Sequence, residues 1–285
     1  MASILTNVSA MVALQSLNKT NTDLQEVQNR VSTGLKVANA KDNAAIFNIA
    51  QQQRAENSAY DAVSTSLNRA TSAADVALAA GDQISELFTK MRETAVAASD
   101  PSISATSRST YNTQFVALRD QVASIIGNAS FDGTNLIDGH TATGIDYLAN
   151  TDGSQTINMP VIDLRLTTGA GGAPASPAAD VYVGTTDTID TQANASAVND
   201  RIVASIDFIN SEIAKIGAAS KRIENHLTFV SKLQDSITTG IGNLVDSDTA
   251  ADAAKLQAIQ VKQQLGTQAL SIANQSPQTL LKLFQ

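Results

Sequence analysis

A regular apolar repeat in the C-terminal third of the chain constrains the fold more than any other feature. Alternate steps of four and three residues from Ile202 to Leu244 meet thirteen positions, of which eleven are apolar and eight are isoleucine. An apolar spacing of 3.5 residues is typical of a long helix packed along other helices. This helix is about 65 Å long at 1.5 Å per residue, so we expect partners of similar length. The candidate seam residues are Ile202, Ile209, Ile216, Ile223 and Val230.

A second repeat, from Tyr60 to Ala98, supplies such a partner. Eleven of its twelve positions are apolar and many are alanine, which allows helices to approach closely. We expect this helix to end at Asp100-Pro101, because the residue before a proline disfavours the helical conformation. A shorter stripe from Tyr111 to Ile125, closed by Gly127, predicts a third helix that forms an antiparallel hairpin with the second. The candidate seam residues of the second helix are Leu67, Ile84, Phe88 and Met91.

The middle of the chain has a different character. Nine of the fifteen glycines lie between Gly127 and Gly184, and residues 1–100 and 178–276 contain no proline. Residues 136–200 carry eight aspartates and one basic residue, Arg165, which gives −7 of the total charge of −8. These features predict a small, solvent-facing, β-rich insertion between the helices. The expected strands are 144–148, 156–158, 161–167 and 181–183, and residues 169–177 are expected to form a flexible loop.

The two ends of the chain are helical in pattern and unusually free of charge. Residues 1–18 and 263–281 contain no charged side chain, and outside the apolar stripes their faces are mostly Asn, Gln, Ser and Thr. Two interpretations remain open: frayed ends, or tails that pair through their stripes and bury their amide-rich backs against other copies of the chain. The second predicts flexible tails in the monomer that become helical on assembly. The candidate subunit-packing residues are Leu14, Leu17, Leu24, Val27, Val31, Val261, Leu265 and Ile272.

Composition disfavours several functional classes. The chain has no cysteine and two histidines, His140 and His226, neither of which lies in an HExxH motif, so we expect no catalytic centre, metal site or cofactor. It shows no basic face for nucleic acid, no span that could cross a membrane and no signal peptide. Asp246, Asp248 and Asp252 suggest a cation site less strongly than the capped start of a helix.

Several segments resemble bacterial flagellins. The stretch Arg30–Ala45 (RVSTGLKVANAKDNAA) and the opening ILTN resemble the N-terminal signature of that family, and Leu270–Phe284 (LSIANQSPQTLLKLF) resembles its C-terminus. Phe131-Asp132-Gly133 is similar to the family's hairpin after the third helix, and the run VALAAG from Val76 is similar to flagellins of alphaproteobacteria. The resemblance covers roughly residues 1–135 and 200–285.

The resemblance implies a mainly α fold, a long antiparallel helical rod with a small β-rich insertion. It implies an inner filament-core domain of residues 1–42 and 245–285, a rod domain of 43–135 and 200–244, and a variable insertion of 136–199. It implies a subunit that polymerises into the extracellular flagellar filament for motility, without enzymatic activity. The implied partners are other copies of the chain, hook-associated and cap proteins, an export chaperone and the flagellar type III exporter. Alternatives are a hook–filament junction protein with flagellin-like ends and, less favoured by the terminal motifs, a secreted coiled coil.

One further region matches the pattern of the family only in part, and we call it the degenerate receptor patch. In many flagellins a patch on the first rod helix is bound by an innate immune receptor of animals. Arg92 and Glu93 match that pattern, whereas Thr89, Lys90 and Thr94 stand where the pattern has Gln, Arg and Leu. A lysine lacks the forked donors of an arginine, and a threonine loses apolar contact. The sequence therefore predicts weak or absent receptor activation.

Overall fold

A computed structural model describes residues 7–140, 143–172 and 180–283. Most of them lie in five helices, so the predicted mainly α fold is confirmed. The helices are α1 Val8–Thr33, α2 Ala44–Ala98, α3 Ala105–Asn128, α4 Gln192–Val245 and α5 Thr249–Leu283. The short strands are β1 Ser130–Phe131, β2 Thr134–Asn135, β3 Ile145–Leu148 and β4 Thr156–Met159.

The chain divides into two compact units. The first, called the tail unit here, comprises Met1–Asn57 and Asp235–Gln285, and the second, the rod unit, comprises Ser58–Gln234. Helices α2 and α4 contribute residues to both units. Each unit has its own apolar cluster. That of the tail unit is small and centres on Val37, Ala50, Ile241 and Val245.

The core of the rod unit is built from the two long repeats. Every seventh residue of the α4 seam, from Ile202 to Val230, is fully buried, and the intervening Ile206, Ile213 and Leu227 are half-buried. On α2, Leu67, Ile84, Phe88 and Met91 are likewise fully buried, and Phe115 and Val122 add the buried face of α3. The helices α2 and α4 run antiparallel, since Asp61 accepts a hydrogen bond of 2.9 Å from Gln234 and Ser85 lies 3.2 Å from Asn210.

The corner between α2 and α3 follows the sequence signals closely. Helix α2 ends at Ala98, just before Asp100-Pro101 as predicted. Ser104 caps α3 by accepting a hydrogen bond from the backbone N–H of Ser107, and Arg108 Nε donates to the carbonyl of Ala98 at 2.8 Å. Arg108 thus satisfies a carbonyl at the C-terminus of α2 that has no partner within the helix.

The prediction that Gly127 closes α3 is wrong. The helix continues through this glycine to Asn128, and Ala129 is its C-cap. Ile126 and Ala129 are buried in the rod core, and the side chain of Asn128 donates to the carbonyl of Ser124. The burial of Ile126 and Ala129, on either side of Gly127 in the sequence, therefore outweighs the cost of about 1 kcal/mol for a glycine inside a helix.

The middle of the chain forms two small hairpins. Strands β1 and β2 pair through a turn in which Asp132 and Gly133 both have positive φ, 49° and 76°, as an Asp-Gly hairpin turn requires. Strands β3 and β4 pair in antiparallel register from Ile145 with Met159 to Leu148 with Thr156. The predicted β-rich insertion is thus present as two-stranded hairpins and not as a larger sheet.

The two later strand predictions, 161–167 and 181–183, are wrong. These segments are extended but form isolated bridges, Asp138 with Asp163 and Thr167 with Gly184. Their alternating apolar residues, such as Leu164 and Val183, are buried in the rod core, so the pattern reflects anchoring on helices and not a ladder between strands. Of the predicted 169–177 loop, residues 173–177 lie outside the described residues.

Candidate assembly surface

Helices α1 and α5 of the tail unit pack against each other along a narrow seam. On α1, Leu17, Leu24 and Val31 are half-buried and Val27 is buried. Between the helices, Gln263 donates to Asn21 at 2.8 Å, and Asn7 donates to the carbonyl of Ala273 at 2.7 Å. The seam is closely packed in places, since a Cβ atom added at Gly266 would lie 3.2 Å from Cδ1 of Leu17.

The stripe that the sequence predicted for α5 does not lie in this seam. Val261, Leu265 and Ile272 are 55%, 58% and 69% exposed, so α1 does not bury them, and their role in subunit packing stays a prediction. Leu256, Ile259 and Leu270 are half-buried instead. Helix α5 carries two apolar stripes on different faces. The inner one escaped detection because Asp252, Gln263 and Gly266 interrupt it.

Apolar side chains are also exposed on α1. Leu14, predicted to pack between subunits, is about half exposed. Val8, Met11 and Val12 are exposed to 60% or more, and their spacing places them on one face of the helix. We define the outer tail stripe as Val261, Leu265 and Ile272 of α5 together with Val8, Met11 and Val12 of α1. Because contiguous exposed apolar surface marks interaction sites in soluble proteins, the outer tail stripe is a candidate for such a site.

The segment after α1 is tied to the junction between α4 and α5. Gly34 caps α1 in the left-handed conformation with φ 71°, and Leu35 bridges to Asp246. Backbone hydrogen bonds of 2.7 Å from Lys36 to Val245 and 2.9 Å from Ser247 to Gly34 complete the contact. The N-terminal and C-terminal segments are thus also joined at the point where α1 ends and α5 begins.

Two aspartates at this junction, Asp248 and Asp252, stabilise the start of α5 in different ways. Asp248 accepts hydrogen bonds from the backbone N–H groups of Ala250 and Ala251 at 3.1 and 3.0 Å, so the predicted helix start is confirmed. The carboxylate of Asp252 is buried and accepts hydrogen bonds from the Ser247 hydroxyl and, at 3.3 Å, from Lys255. The Ser247 hydrogen bond, reinforced by Lys255, lowers the pKa of Asp252. Within the described residues, no group of three or more acidic or histidine side chains is placed to hold a metal ion.

The residues of the degenerate receptor patch lie on α2 in the rod unit. Lys90, Arg92 and Glu93 are exposed, and Thr89 is exposed beside them. Thr94 is half-buried, and its hydroxyl donates to the carbonyl of Met91 at 2.7 Å.

The side chain of His226 packs against the segment that follows β3. It is half-buried, and its Nε2 atom lies 2.8 Å from the carbonyl oxygen of Ala149, at the end of β3. Its ring centroid is 5.8 Å from that of Phe229. No sequence pattern indicates this contact, because the partner residue is 77 positions away.

In the described part of the chain, no helix combines the length and the apolar character that crossing a lipid bilayer demands.

Comparison with known proteins shows which family the chain resembles over its length. A family model described as the bacterial flagellin N-terminal helical region matches residues 4–142, and one described as the bacterial flagellin C-terminal helical region matches residues 199–284. Flagellin FljK of Caulobacter vibrioides is 46% identical over 99% of this chain and 98% of its own. A flagellin of Brucella melitensis is 36% identical over the whole of both chains.

A solved structure shows a similar fold at low sequence identity. It is described as a flagellar hook-associated protein from Vibrio parahaemolyticus, with 13% identity and a TM-score of 0.57 over 72% of this chain and all of that one. This likeness concerns the fold alone. Since the flagellin models cover both ends and the flagellin relatives span nearly the whole length, the chain belongs to the bacterial flagellin family.

Proposed function

We propose that this chain is the structural subunit of a bacterial flagellar filament and that it polymerises with copies of itself into a helical tube used for motility. Membership of the flagellin family supports this, because relatives named as flagellins align over almost their entire length. The filament lies outside the cell, so the subunit is a secreted protein.

The outer tail stripe is the observation that carries the proposal. Its six apolar side chains on α1 and α5 remain exposed in the described part of the tail unit. Burial of apolar surface contributes roughly 25 cal/mol per Å², so a neighbouring subunit that covers the stripe stabilises the assembly. A head-to-tail contact between different surfaces of identical copies generates a filament when the rotation between copies does not close into a ring. Leu17, Leu24, Val27 and Val31 then hold the tail helices together, while Val261, Leu265 and Ile272 contact neighbours.

The domain arrangement forms part of the proposal. Residues 1–42 and 245–285 form the inner core of the filament, 43–135 and 200–244 the rod, and 136–199 the solvent-facing insertion. The acidic character of the insertion supports its exposure to solvent, since Arg165 is the one basic residue among eight aspartates between residues 136 and 200.

The further partners are those expected of a flagellin: hook-associated and cap proteins at the two ends of the filament, an export chaperone, and the flagellar type III exporter. We also propose that the protein has no enzymatic activity. Its family is structural, and the ring of His226 contacts a backbone carbonyl oxygen and Phe229.

A hook–filament junction protein is the alternative function. Nothing specific favours it, because the likeness to a hook-associated protein concerns the fold at 13% identity. Immunolabelling of cells distinguishes the two: label along the full filament supports the filament subunit, whereas one band beside the hook refutes it.

Seeded assembly followed by electron microscopy tests the filament proposal. We expect wild-type protein to elongate seeds. The double variant Val261→Ser/Leu265→Ser should fail to do so, because it replaces two apolar side chains of the outer tail stripe with polar ones. Gln257→Ser/Gln260→Ser is the matched control. It alters two exposed polar positions of α5 that lie outside the uncharged segment 263–281 and is expected to assemble like wild type. Normal elongation by the stripe variant, or failure of the wild type with every kind of seed, would refute the proposal.

Hydrogen exchange tests the coupled ordering of the tails. We expect the amides of α1 and α5 to exchange rapidly in the monomer and to become protected in the filament, because a two-helix pair buries little apolar surface alone. Slow exchange of both tails in the monomer would contradict this part of the proposal.

A further inference from the structure

Three Asp-Gly pairs lie close together in the middle of the chain: Asp132-Gly133, Asp138-Gly139 and Asp152-Gly153. In such a pair the backbone nitrogen of the glycine can attack the side-chain carboxyl carbon of the aspartate, because a glycine has no Cβ atom to hinder the approach. Whether a pair reacts depends on how the fold holds the nitrogen and the carboxyl group. The three pairs have different surroundings, so the structure predicts different reactivities.

The pair Asp152-Gly153 lies in the exposed turn that joins β3 to β4. The backbone N–H of Ala149 donates to the carbonyl of Gln155 at 3.0 Å, which leaves residues 150–154 outside the ladder of the hairpin. All residues from 151 to 156 are exposed. In the part of the chain that the structure describes, the N–H of Gly153 donates no hydrogen bond. The nitrogen that would attack is therefore accessible and unengaged.

The carboxyl group of Asp152 is held close to that nitrogen. Its Oδ1 atom accepts a hydrogen bond of 3.0 Å from the backbone N–H of Ser154. The ring closed by this bond is an Asx turn, and it includes the nitrogen of Gly153. The carboxyl group is thus folded back over the Gly153 amide, with the electrophile beside the nucleophile.

The pair Asp138-Gly139 has the same kind of turn but an engaged nitrogen. Oδ1 of Asp138 accepts from the N–H of His140 at 3.0 Å. The N–H of Gly139, however, donates to the carbonyl of Ile162 at 3.0 Å. The site is also tightly packed, since a Cβ atom added at Gly139 would lie 2.5 Å from Cγ of Asp163. The nitrogen must give up its hydrogen bond before it can attack.

The pair Asp132-Gly133 is restrained in another way. It forms the whole of the two-residue turn between the paired residues Phe131 and Thr134, so the backbone has little freedom to bring the nitrogen onto the carboxyl carbon. The carboxylate of Asp132 also pairs with the guanidinium of Arg69 on α2, and it must leave this partner to react.

We propose that Asp152 is a site of spontaneous isomerisation to isoaspartate and that, in the folded protein, it reacts in preference to Asp132 and Asp138. The nitrogen of Gly153 forms a bond to Cγ of Asp152, and the carboxyl hydroxyl leaves with the amide proton as water, which gives a cyclic succinimide. Water then adds to the main-chain carbonyl carbon of Asp152 and breaks its bond to the nitrogen of Gly153. One water is lost and one is gained, so the step needs no other reagent and leaves the mass unchanged.

The product differs from the original turn in shape and in chemistry. The chain now runs through the side chain of Asp152, which adds one backbone atom and exposes a free α-carboxylate. The solvent-facing surface of the insertion therefore changes with the age of the protein. An enzyme that methylates isoaspartyl carboxylates is the class of partner that recognises such a product. This inference goes beyond the proposed function and does not depend on it.

Peptide mapping of aged protein tests the proposal. Folded full-length protein is kept for several weeks at about pH 5, where more of an aspartate is protonated than at neutral pH. The acidic condition matters because the Ser154 hydrogen bond lowers the pKa of Asp152. Electron-transfer fragmentation then measures isoaspartate at each pair. We expect it to form at Asp152 about tenfold faster than at Asp138, since the Gly139 N–H must first lose its hydrogen bond.

The same chain unfolded in urea is the matched control. All three pairs share the Asp-Gly sequence, so we expect them to react at similar rates once the fold is lost. Equal rates at the three pairs in the folded protein, or a faster rate at Asp132 or Asp138, would overturn the proposal. So would folded protein without isoaspartate at Asp152 when the unfolded chain forms it there.

The variant Asp152→Glu checks the assignment of the signal. A glutamate would have to close a larger ring, so we expect no isomerised product at this position and unchanged rates at Asp132 and Asp138. A signal at position 152 that persists in this variant would show that it does not come from isomerisation of the aspartate, and this outcome would also overturn the proposal.

Discussion

Gly81 of α2 faces Ile213 of α4 at a point where the two helices leave no room for a side chain. A Cβ atom added at Gly81 would lie 2.5 Å from Cδ1 and 2.7 Å from Cγ1 of Ile213. Gly81 is the one position of the α2 repeat that is not apolar. The glycine is therefore a notch that receives the isoleucine.

We expect Gly81→Ala to lower the free energy of unfolding by about 1 kcal/mol. The alanine favours the helix by about 1 kcal/mol, but overpacking costs roughly 1–3 kcal/mol, moderated here because the end of the Ile213 side chain can move. Gly217→Ala in α4 is the matched control: no atom lies within 4 Å of its added Cβ, so it should raise stability by about 0.5–1 kcal/mol. Urea denaturation of both variants measures the difference, and equal effects of the two substitutions would contradict the notch.

The ion pair between Asp187 and Arg201 anchors the end of the insertion. Asp187 is 4% exposed, accepts a hydrogen bond of 2.6 Å from Arg201, and also accepts from the backbone N–H groups of Gly171 and Gly184. We expect Arg201→Met to lower the free energy of unfolding by about 3 kcal/mol, because it leaves a buried carboxylate without its cation. Urea denaturation of the full-length protein measures this loss.

The exposed pair Arg165–Asp163 provides the control for that measurement. Both side chains are about half exposed, and their contact is 2.7 Å long. Solvent screens such pairs, so Arg165→Met is expected to change stability by less than about 1 kcal/mol. Similar losses in the two variants would show that burial of Asp187 has no particular importance.

The sequence predicted the parts of this fold that depend on periodicity. The buried residues from Ile202 to Val230 repeat every seven positions, so the spacing of apolar residues in the sequence is enough to identify the packed face of α4. The apolar pattern did not reveal the inner stripe of α5, because two of its positions are not apolar. At Gly266 the lack of a side chain allows Leu17 to approach, and Gln263 donates a hydrogen bond to Asn21. The pattern also missed the contact of His226 with Ala149, which depends on how distant segments meet.

Lowering the pH should destabilise the folded tail unit, because it protonates the carboxylate of Asp252. Its hydrogen bonds from Ser247 and Lys255 lower its pKa in the folded protein, relative to about 3.9 in an unfolded chain. The carboxylate therefore stabilises the fold above about pH 4, and this contribution is lost as pH falls through the lowered pKa. We expect Asp252→Asn to be less stable than wild type at pH 6 and the difference to shrink towards pH 3, as followed by the helical circular dichroism signal during heating. A difference that stays constant over this range would contradict the assignment.

The degenerate receptor patch predicts a weak response from cells that report flagellin recognition. Thr89, Lys90, Arg92 and Glu93 are exposed on α2 and so are available in the monomer, whereas the hydroxyl of Thr94 donates to the carbonyl of Met91. We expect Thr89→Gln/Lys90→Arg/Thr94→Leu to raise the response at least about tenfold, because it restores a forked guanidinium and an apolar side chain beside Arg92 and Glu93. The control Thr113→Gln, at an exposed position of α3 outside this patch, should leave the response unchanged. A full response to the wild-type monomer at ordinary concentrations would show that Thr89, Lys90 and Thr94, which depart from the family pattern, do not weaken recognition.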